Sequence, residues 1–337
     1  MNIREILLGI AIGDAYGAGL EFQDREWIRK HVDFSRFINA RSSIQVPTHK
    51  LKDFIEDYHP WDYTDDTEMT IGVIRALIEE APFDQDLLVE KWKEEYQRGI
   101  QYKGFGRNGH GSMRWYYSGQ MTIEEIRNFQ RSRPNPGNAP AMRVVPIGLL
   151  REDLIDVYAR INAEATHPNI KAILSSQCIA RSVEFLLVKQ GAQRDVIKYC
   201  MEKVALNEEY QTYLSKVEQL GSYADLQGSD FATLCGPQPI EEPYFLPGIN
   251  GVPSDAKYTT GSVLYVLKNS LDAMDALKKS VCLGGDVDSL ASITTGIMAG
   301  IKGLGSLPSW MLSGVEGSQY LQNIADEFAE KLREWNR

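Results

Sequence analysis

Along most of the chain, apolar residues recur at intervals of three and four rather than two, the spacing of a helix that buries one face. Met69, Val73, Ala76 and Leu77 share a face in 69–78, and Leu88, Trp92 and Tyr96 do so in 87–96. The same periodicity predicts helices over 170–188, 196–204, 262–276, 289–301 and 320–335. Run 6–12 is too short to span a bilayer, and Glu5 and Asp14 lie close on either side, so it reads as a core helix rather than a secretion signal. Alternating patterns are scarce, with only 43–46 reading as extended. The pattern therefore predicts an all-α fold of many packed helices.

Turn-forming residues mark loops at 104–111, 131–140 and 236–253, none with the character of an interdomain linker. The chain from 1 to 337 is expected to form one domain. Composition supports a large core: 43% of the 337 residues are apolar and 10% aromatic. Against 36 basic residues stand 46 acidic ones, a formal net charge of -10, so the bare surface repels nucleic acid and anionic membranes. A phosphate-bearing ligand would then need local backbone amides, a few basic side chains or bound cations. Cys178, Cys200, Cys235 and Cys282 lie far apart, with no histidine grouped near them as in a zinc site. Buried free thiols are expected, as in a reducing compartment, and the protein is read as cytoplasmic.

Two acidic clusters carry the candidate chemistry. Thr64-Asp65-Asp66-Thr67-Glu68 stands directly before a helical pattern, and Gly284-Gly285-Asp286-Val287-Asp288-Ser289 stands before another. Helix capping is one explanation, because hydroxyls and carboxylates there satisfy orphan amides and complement the helix dipole. Metal ligation is the other. Each cluster offers a hydroxyl and two carboxylates, an oxygen-only set suited to Mg²⁺ or Mn²⁺. The helix after the second cluster keeps Gly296 and Gly300 four apart, at about 1 kcal/mol each relative to alanine, which predicts close packing against another backbone.

At these residues the chain resembles the ADP-ribosylglycohydrolase family, through five landmarks in that family's order. They are Gly13-Asp14-Ala15-Tyr16-Gly17 with Glu21; Tyr63-Thr64-Asp65-Asp66-Thr67; Gly137-Asn138-Ala139-Pro140-Ala141-Met142-Arg143 with Pro146; Thr166-His167; and Gly284 to Ser289 with the later Gly300, Gly303, Leu307, Pro308 and Trp310. The resemblance implies a single compact, orthogonal many-helix bundle in which 207–253 is a family-variable excursion that shapes the acceptor side of the pocket. It implies two divalent cations, Mg²⁺ or Mn²⁺, held by Thr64, Asp65 and Asp66 on one side and Asp286, Asp288 and Ser289 on the other. Catalysis would fall to Asp65 and Asp286 with Glu21, whose role would be positioning or protonation. Asn138, Met142, Arg143 and His167 would meet substrate, and Gly106 and Gly109, from a segment that also carries Arg107, would present amides to phosphate. A purely structural role for His167 is capping the helix that begins near Ile170.

Three departures from the family pattern stand out. Ser289 occupies a position where threonine is usual and keeps the hydroxyl. Ala139 replaces a glycine and adds a Cβ, and 104–109 holds no acid to serve as a nucleophile. The implied reaction is hydrolysis, by water, of the N- or O-glycosidic bond between ADP-ribose and a modified acceptor, with arginine on protein placed first. Two alternatives stand beside it: a non-catalytic family member that binds ADP-ribose-like ligands, and a metal-dependent nucleotide phosphohydrolase. Neither nucleic acid nor a membrane is an expected partner; an ADP-ribosylated protein or small conjugate is.

Overall fold

The computed structural model describes residues 2–39, 59, 61–103, 110–244 and 247–335, and the side chains of 100–103 lie outside that description. In chain order the helices are α1 (Ile3–Ala18), α2 (Arg25–His31), α3 (Asp65–Ile78), α4 (Gln85–Lys103), α5 (Met113–Tyr117), α6 (Ile123–Arg131), α7 (Ala139–Met142), α8 (Glu152–Glu164) and α9 (Ile170–Val183). There follow α10 (Val196–Lys203), α11 (Glu208–Glu218), α12 (Gly228–Cys235), α13 (Ala256–Asn269), α14 (Ala273–Val281), α15 (Val287–Lys302), α16 (Ser309–Gly314) and α17 (Ser318–Trp335). The fold is all-α, as expected. Among the described residues the only β pairing is a pair of isolated bridges, Gln23 to Gly285 and Val252 to Gly285. The piece at 43–46 lies outside the described residues.

The contact that organises the site is α1 against α15. A Cβ on Gly296 would collide with the Ile10 side chain, and one on Gly17 with the backbone of Asp288. The close packing expected at Gly296 is therefore present, and its partner is the N-terminal helix. That helix is a core element, with Ile6, Leu7, Ile10 and Ile12 all buried. Around this pair α3 packs on α4 and α17, while α13 packs against α9 and α15.

One sequence expectation changes. The helix expected over 262–276 is two helices, because Asp272 takes a hydrogen bond from Asp275 N at 2.9 Å and starts α14. Apolar spacing continues through the break, since both helices bury a face, but Leu271 within it is 76% exposed. Where it is described, the 207–253 excursion is built into the core. It contains α11 and α12, and Tyr210, Leu214, Phe231 and Leu234 join the same apolar cluster as α1 and α17. Its end clamps the glycine pair before α15: Val252 N donates to Gly284 O at 2.9 Å, and Asp286 N donates to Val252 O at 2.8 Å.

Of the cysteines, Cys178, Cys200 and Cys235 are buried free thiols and Cys282 is half-buried. Among the described residues no helix is long and apolar enough to cross a membrane.

Candidate active site

At the mouth of α3 the capping explanation fails in an informative way. Thr64 is the N-cap residue, yet its side chain makes no cap hydrogen bond among the described residues. Its hydroxyl instead donates to Asp14 Oδ1 at 2.7 Å. Asp14, fully buried on α1, takes over the cap: it accepts from Thr64 N at 3.0 Å, from Thr67 N at 2.9 Å and from the Thr67 hydroxyl at 2.6 Å. With the Thr64 hydrogen turned toward Asp14, its oxygen keeps lone pairs for another partner. Asp65 and Asp66 follow it in the first turn.

The mouth of α15 repeats the pattern. Asp286 is the N-cap residue and makes no cap hydrogen bond among the described residues. Elsewhere Asn2, Asp24, Asn169, Asp255 and Asp272 do cap their helices. Gly284 and Gly285 have φ of +73° and +79°, in the left-handed region that favours glycine. A Cβ on Gly284 would also come within 2.6 Å of Arg25 N. That turn lets Asn138 Nδ2 reach both Asp286 Oδ2, at 3.2 Å, and Thr259 Oγ1, at 3.0 Å. Ser289 is buried, and its N–H donates to Asp288 Oδ1 at 3.0 Å.

The acids of the α3 mouth lie within electrostatic reach of those of the α15 mouth. Glu21, Asp286 and Asp288 each bring a carboxylate oxygen within 4.8 Å of the others. Burial, then Asp288, Asp14 and Glu21, hold the Asp65 carboxyl well above the usual carboxylate range. Asp66 is raised in the same way by burial, then by Asp288, Asp14, Asp65 and Asp286. Burial first, with Glu21 and Asp65 adding to it, pushes Asp286 up to about 6. Asp66 Oδ1 is buried and finds no hydrogen-bond partner among the described residues. An orphaned carboxylate oxygen beside four other acids costs free energy that a cation would relieve. The donor set is oxygen only, so the residues present fit a hard divalent ion.

The remaining sequence-predicted residues divide. Asn138 lies beside Asp286 and holds it. Met142 is 4% exposed, in the core. Arg143 is wholly buried: it donates to Asn162 Oδ1 at 2.8 Å, to Asn162 O at 2.9 Å and to Thr166 Oγ1 at 2.8 Å, and it stacks on Trp92 at 3.7 Å. Its donors thus face Asn162, Thr166 and the Met69 sulfur in the interior. Burial pushes its pKa down to about 9. His167 is buried, with Nδ1 at 2.8 Å from Thr166 Oγ1. Burial, then Arg143 and Arg133, hold its pKa well below the usual value, so the ring is neutral at pH 7. It does not cap the following helix, which Asn169 caps through Lys171 N at 3.0 Å. Gly106, Gly109 and Arg107 lie outside the described residues.

Asp14 is the functional residue that motif spacing undervalued. The available signal was a carboxylate two residues beyond an apolar run, between Gly13 and Gly17, where a core helix has no use for an unpaired charge.

The family model described as ADP-ribosylglycohydrolase matches residues 2–337. The chain is 24% identical to ADP-ribosylhydrolase ARH3 of Gallus gallus, over 98% of this chain and 93% of that protein. To ADP-ribosylhydrolase ARH3 of Homo sapiens it is 23% identical, over 93% and 88%. A solved structure described as an ADP-ribosylglycohydrolase-related protein complex matches with a TM-score of 0.65 at 16% identity, covering 98% of each chain, and so supports the fold. With the family model spanning almost every residue, the chain belongs to the ADP-ribosylglycohydrolase family and is a glycohydrolase.

Proposed function

We propose that the protein hydrolyses the N- or O-glycosidic bond between ADP-ribose and a modified acceptor, with ADP-ribosyl-arginine on protein as the first linkage to assay. What supports this is the cluster of Glu21, Asp286 and Asp288 carboxylates, with Asp65 and the partly orphaned Asp66 within electrostatic reach of it. The names of the ARH3 relatives support the substrate class. In this reading Thr64, Asp65 and Asp66 hold one side of a binuclear Mg²⁺ or Mn²⁺ centre, and Asp286, Asp288 and Ser289 hold the other. Bound cations would supply orientation of the ribose hydroxyls and acidification of water.

The chain's own residues do the rest. Asp14 fixes the Thr64 hydroxyl so that its lone pairs face the ligand, and Asn138 fixes Asp286. Glu21 holds or moves a proton at the leaving atom, and the surrounding carboxylates favour positive charge developing on the ribose. Neutral His167 orients substrate without adding charge. The buried thiols suit a reducing, cytoplasmic setting.

The test is release of free ADP-ribose from an ADP-ribosylated arginine peptide with Mg²⁺ or Mn²⁺. Asp65→Asn and Asp286→Asn should each lower turnover at least about 100-fold, the scale of losing a cation's orienting and polarising contribution. Undiminished turnover in both removes the metal mechanism. AMP and ribose phosphate as products would indicate attack on the pyrophosphate instead.

A further inference from the structure

Three stretches of backbone meet beside Asp286, and Gly285 lies in the middle one. Its N–H donates to Gln23 O at 3.0 Å and its carbonyl accepts from Phe22 N at 2.7 Å, while on the other side Val252 bonds to Gly284 and Asp286. A Cβ on Gly251 would come within 2.3 Å of Gly285 N, so the stretches touch backbone to backbone. Phe22, the residue after Glu21, has φ of +60°, a conformation uncommon outside glycine. Glu21 and Asp286, whose carboxylate oxygens lie within 4.8 Å of each other, therefore both hang from this lacing.

One side chain ties all three stretches. Arg25, buried at the start of α2, donates from Nε to Leu283 O at 3.0 Å and from Nη2 to Gln238 Oε1 at 2.8 Å. Gln238 passes the grip on: its Oε1 also accepts from Gly251 N at 2.9 Å, and its Nε2 donates to Gly251 O at 2.8 Å. The Arg25 backbone N–H reaches Asn250 O at 2.9 Å, and its guanidinium stands 3.7 Å from the centre of the Phe231 ring. Burial pulls its pKa below the usual value, and among the described residues no carboxylate accepts a hydrogen bond from it. As mere filling, a guanidinium enclosed on those terms costs more than an apolar side chain would. Its fork does what an apolar side chain cannot, since it meets acceptors on two separate segments.

We propose that Arg25 is a positioning residue for the acid cluster. Through Leu283 O and Gln238 it holds the 283–286 turn against 22–25 and 250–252, and so keeps Asp286 where it can ligate a divalent cation with Glu21 beside it. The inference rests on the metal centre proposed above, in which Arg25 touches neither cation nor substrate.

Arg25→Gln shortens the side chain and removes both of its long-range hydrogen bonds. Calorimetric titration of the folded variant with Mn²⁺ should show Kd raised about 10–100-fold, the scale of losing a group that orients a metal ligand. Turnover at limiting Mn²⁺ should fall by a similar factor and largely recover at saturating Mn²⁺. Gln238→Met should raise Kd in the wild-type background and add little in the Arg25→Gln background, because the two side chains act as one support. Ile126→Ala, at a fully buried position on α6, should lower the melting temperature and leave Kd for Mn²⁺ unchanged. Should Arg25→Gln not fold, Gln238→Met and the wild type carry the test. By reciprocity, Mg²⁺ that prefers the laced form should slow hydrogen exchange at the wild-type Gly251 N–H about 10–100-fold. Unchanged Kd in folded Arg25→Gln or Gln238→Met, an equal rise in Ile126→Ala, or Gly251 exchange unmoved by saturating Mg²⁺ overturns the proposal alone. A wild type that binds neither Mg²⁺ nor Mn²⁺ overturns it together with the metal centre on which it rests.

Discussion

Asp66 shows at the scale of one residue how function and stability conflict in this site. Its Oδ1 is buried without a partner among the described residues, and Asp288, Asp14, Asp65 and Asp286 all act against its charge. Two unit charges about 5 Å apart repel by roughly 3 kcal/mol at an effective dielectric of about 20. Asp66→Asn removes one such charge at nearly constant volume. Calorimetry in EDTA should show the variant melting a few degrees higher than wild type, roughly what 1 kcal/mol yields in a chain this long. Its metal-dependent turnover should fall at least about 100-fold. A lower melting temperature without metal would mean that the carboxylate is stabilised by the apoprotein, against the repulsion argued here. The four aspartates of the two mouths were legible in the sequence as paired acids before helices. The interior setting of Arg143 was not legible, because whether an arginine meets solvent or Trp92 and Asn162 depends on which face of its segment the fold encloses.

At the scale of elements, the first turn of α3 is capped from another helix. Asp14 reaches across from α1 and satisfies Thr64 N and Thr67 N, work that an N-cap side chain does elsewhere in this chain. Asp14→Ala should leave those amides and two hydroxyls unpaired in the interior and cost roughly 2–4 kcal/mol, measured as a lower urea midpoint at unchanged m-value. Activity measured well below the new midpoint should also fall, since Thr64 loses the partner that turns its hydrogen away from the site. A stability loss under about 0.5 kcal/mol would show that other groups cap α3. Local pattern located this helix, α9 and α15 well. It failed at Ser270 to Asp272, where the Asp272 side chain outweighs an apolar spacing that runs on regardless. A break made by one capping oxygen leaves little trace in hydrophobic periodicity.

Over the whole molecule, the carboxylates couple pH, metal and stability. Burial and its acidic neighbours raise Asp286 from 3.8 to about 6 in the folded state. The penalty for ionising it within the fold is absent below about pH 4, grows as pH rises and is complete above about pH 6, so the metal-free protein loses stability across that window. A cation offsets the penalty only where the acids are ionised. Saturating Mg²⁺ or Mn²⁺ should therefore raise the melting temperature more at pH 8 than at pH 5.5, and EDTA should reverse the gain. Equal gains at the two pH values would detach metal binding from these acids. The sequence by itself determined the all-α class, most helix positions and the two oxygen-rich mouths, because helical periodicity and capping chemistry are local and repeat within a few residues. Only the tertiary structure decided that α1 packs against α15 over glycine contacts and so carries Asp14 and Glu21 to acids far along the chain. The same packing decided that Arg143 is enclosed and that 207–253 braces Gly284 and Gly285. The reason is physical: a side chain's type states which charge or hydrogen bond it can offer, whereas its desolvation and its neighbours arise from helix packing between residues hundreds of positions apart.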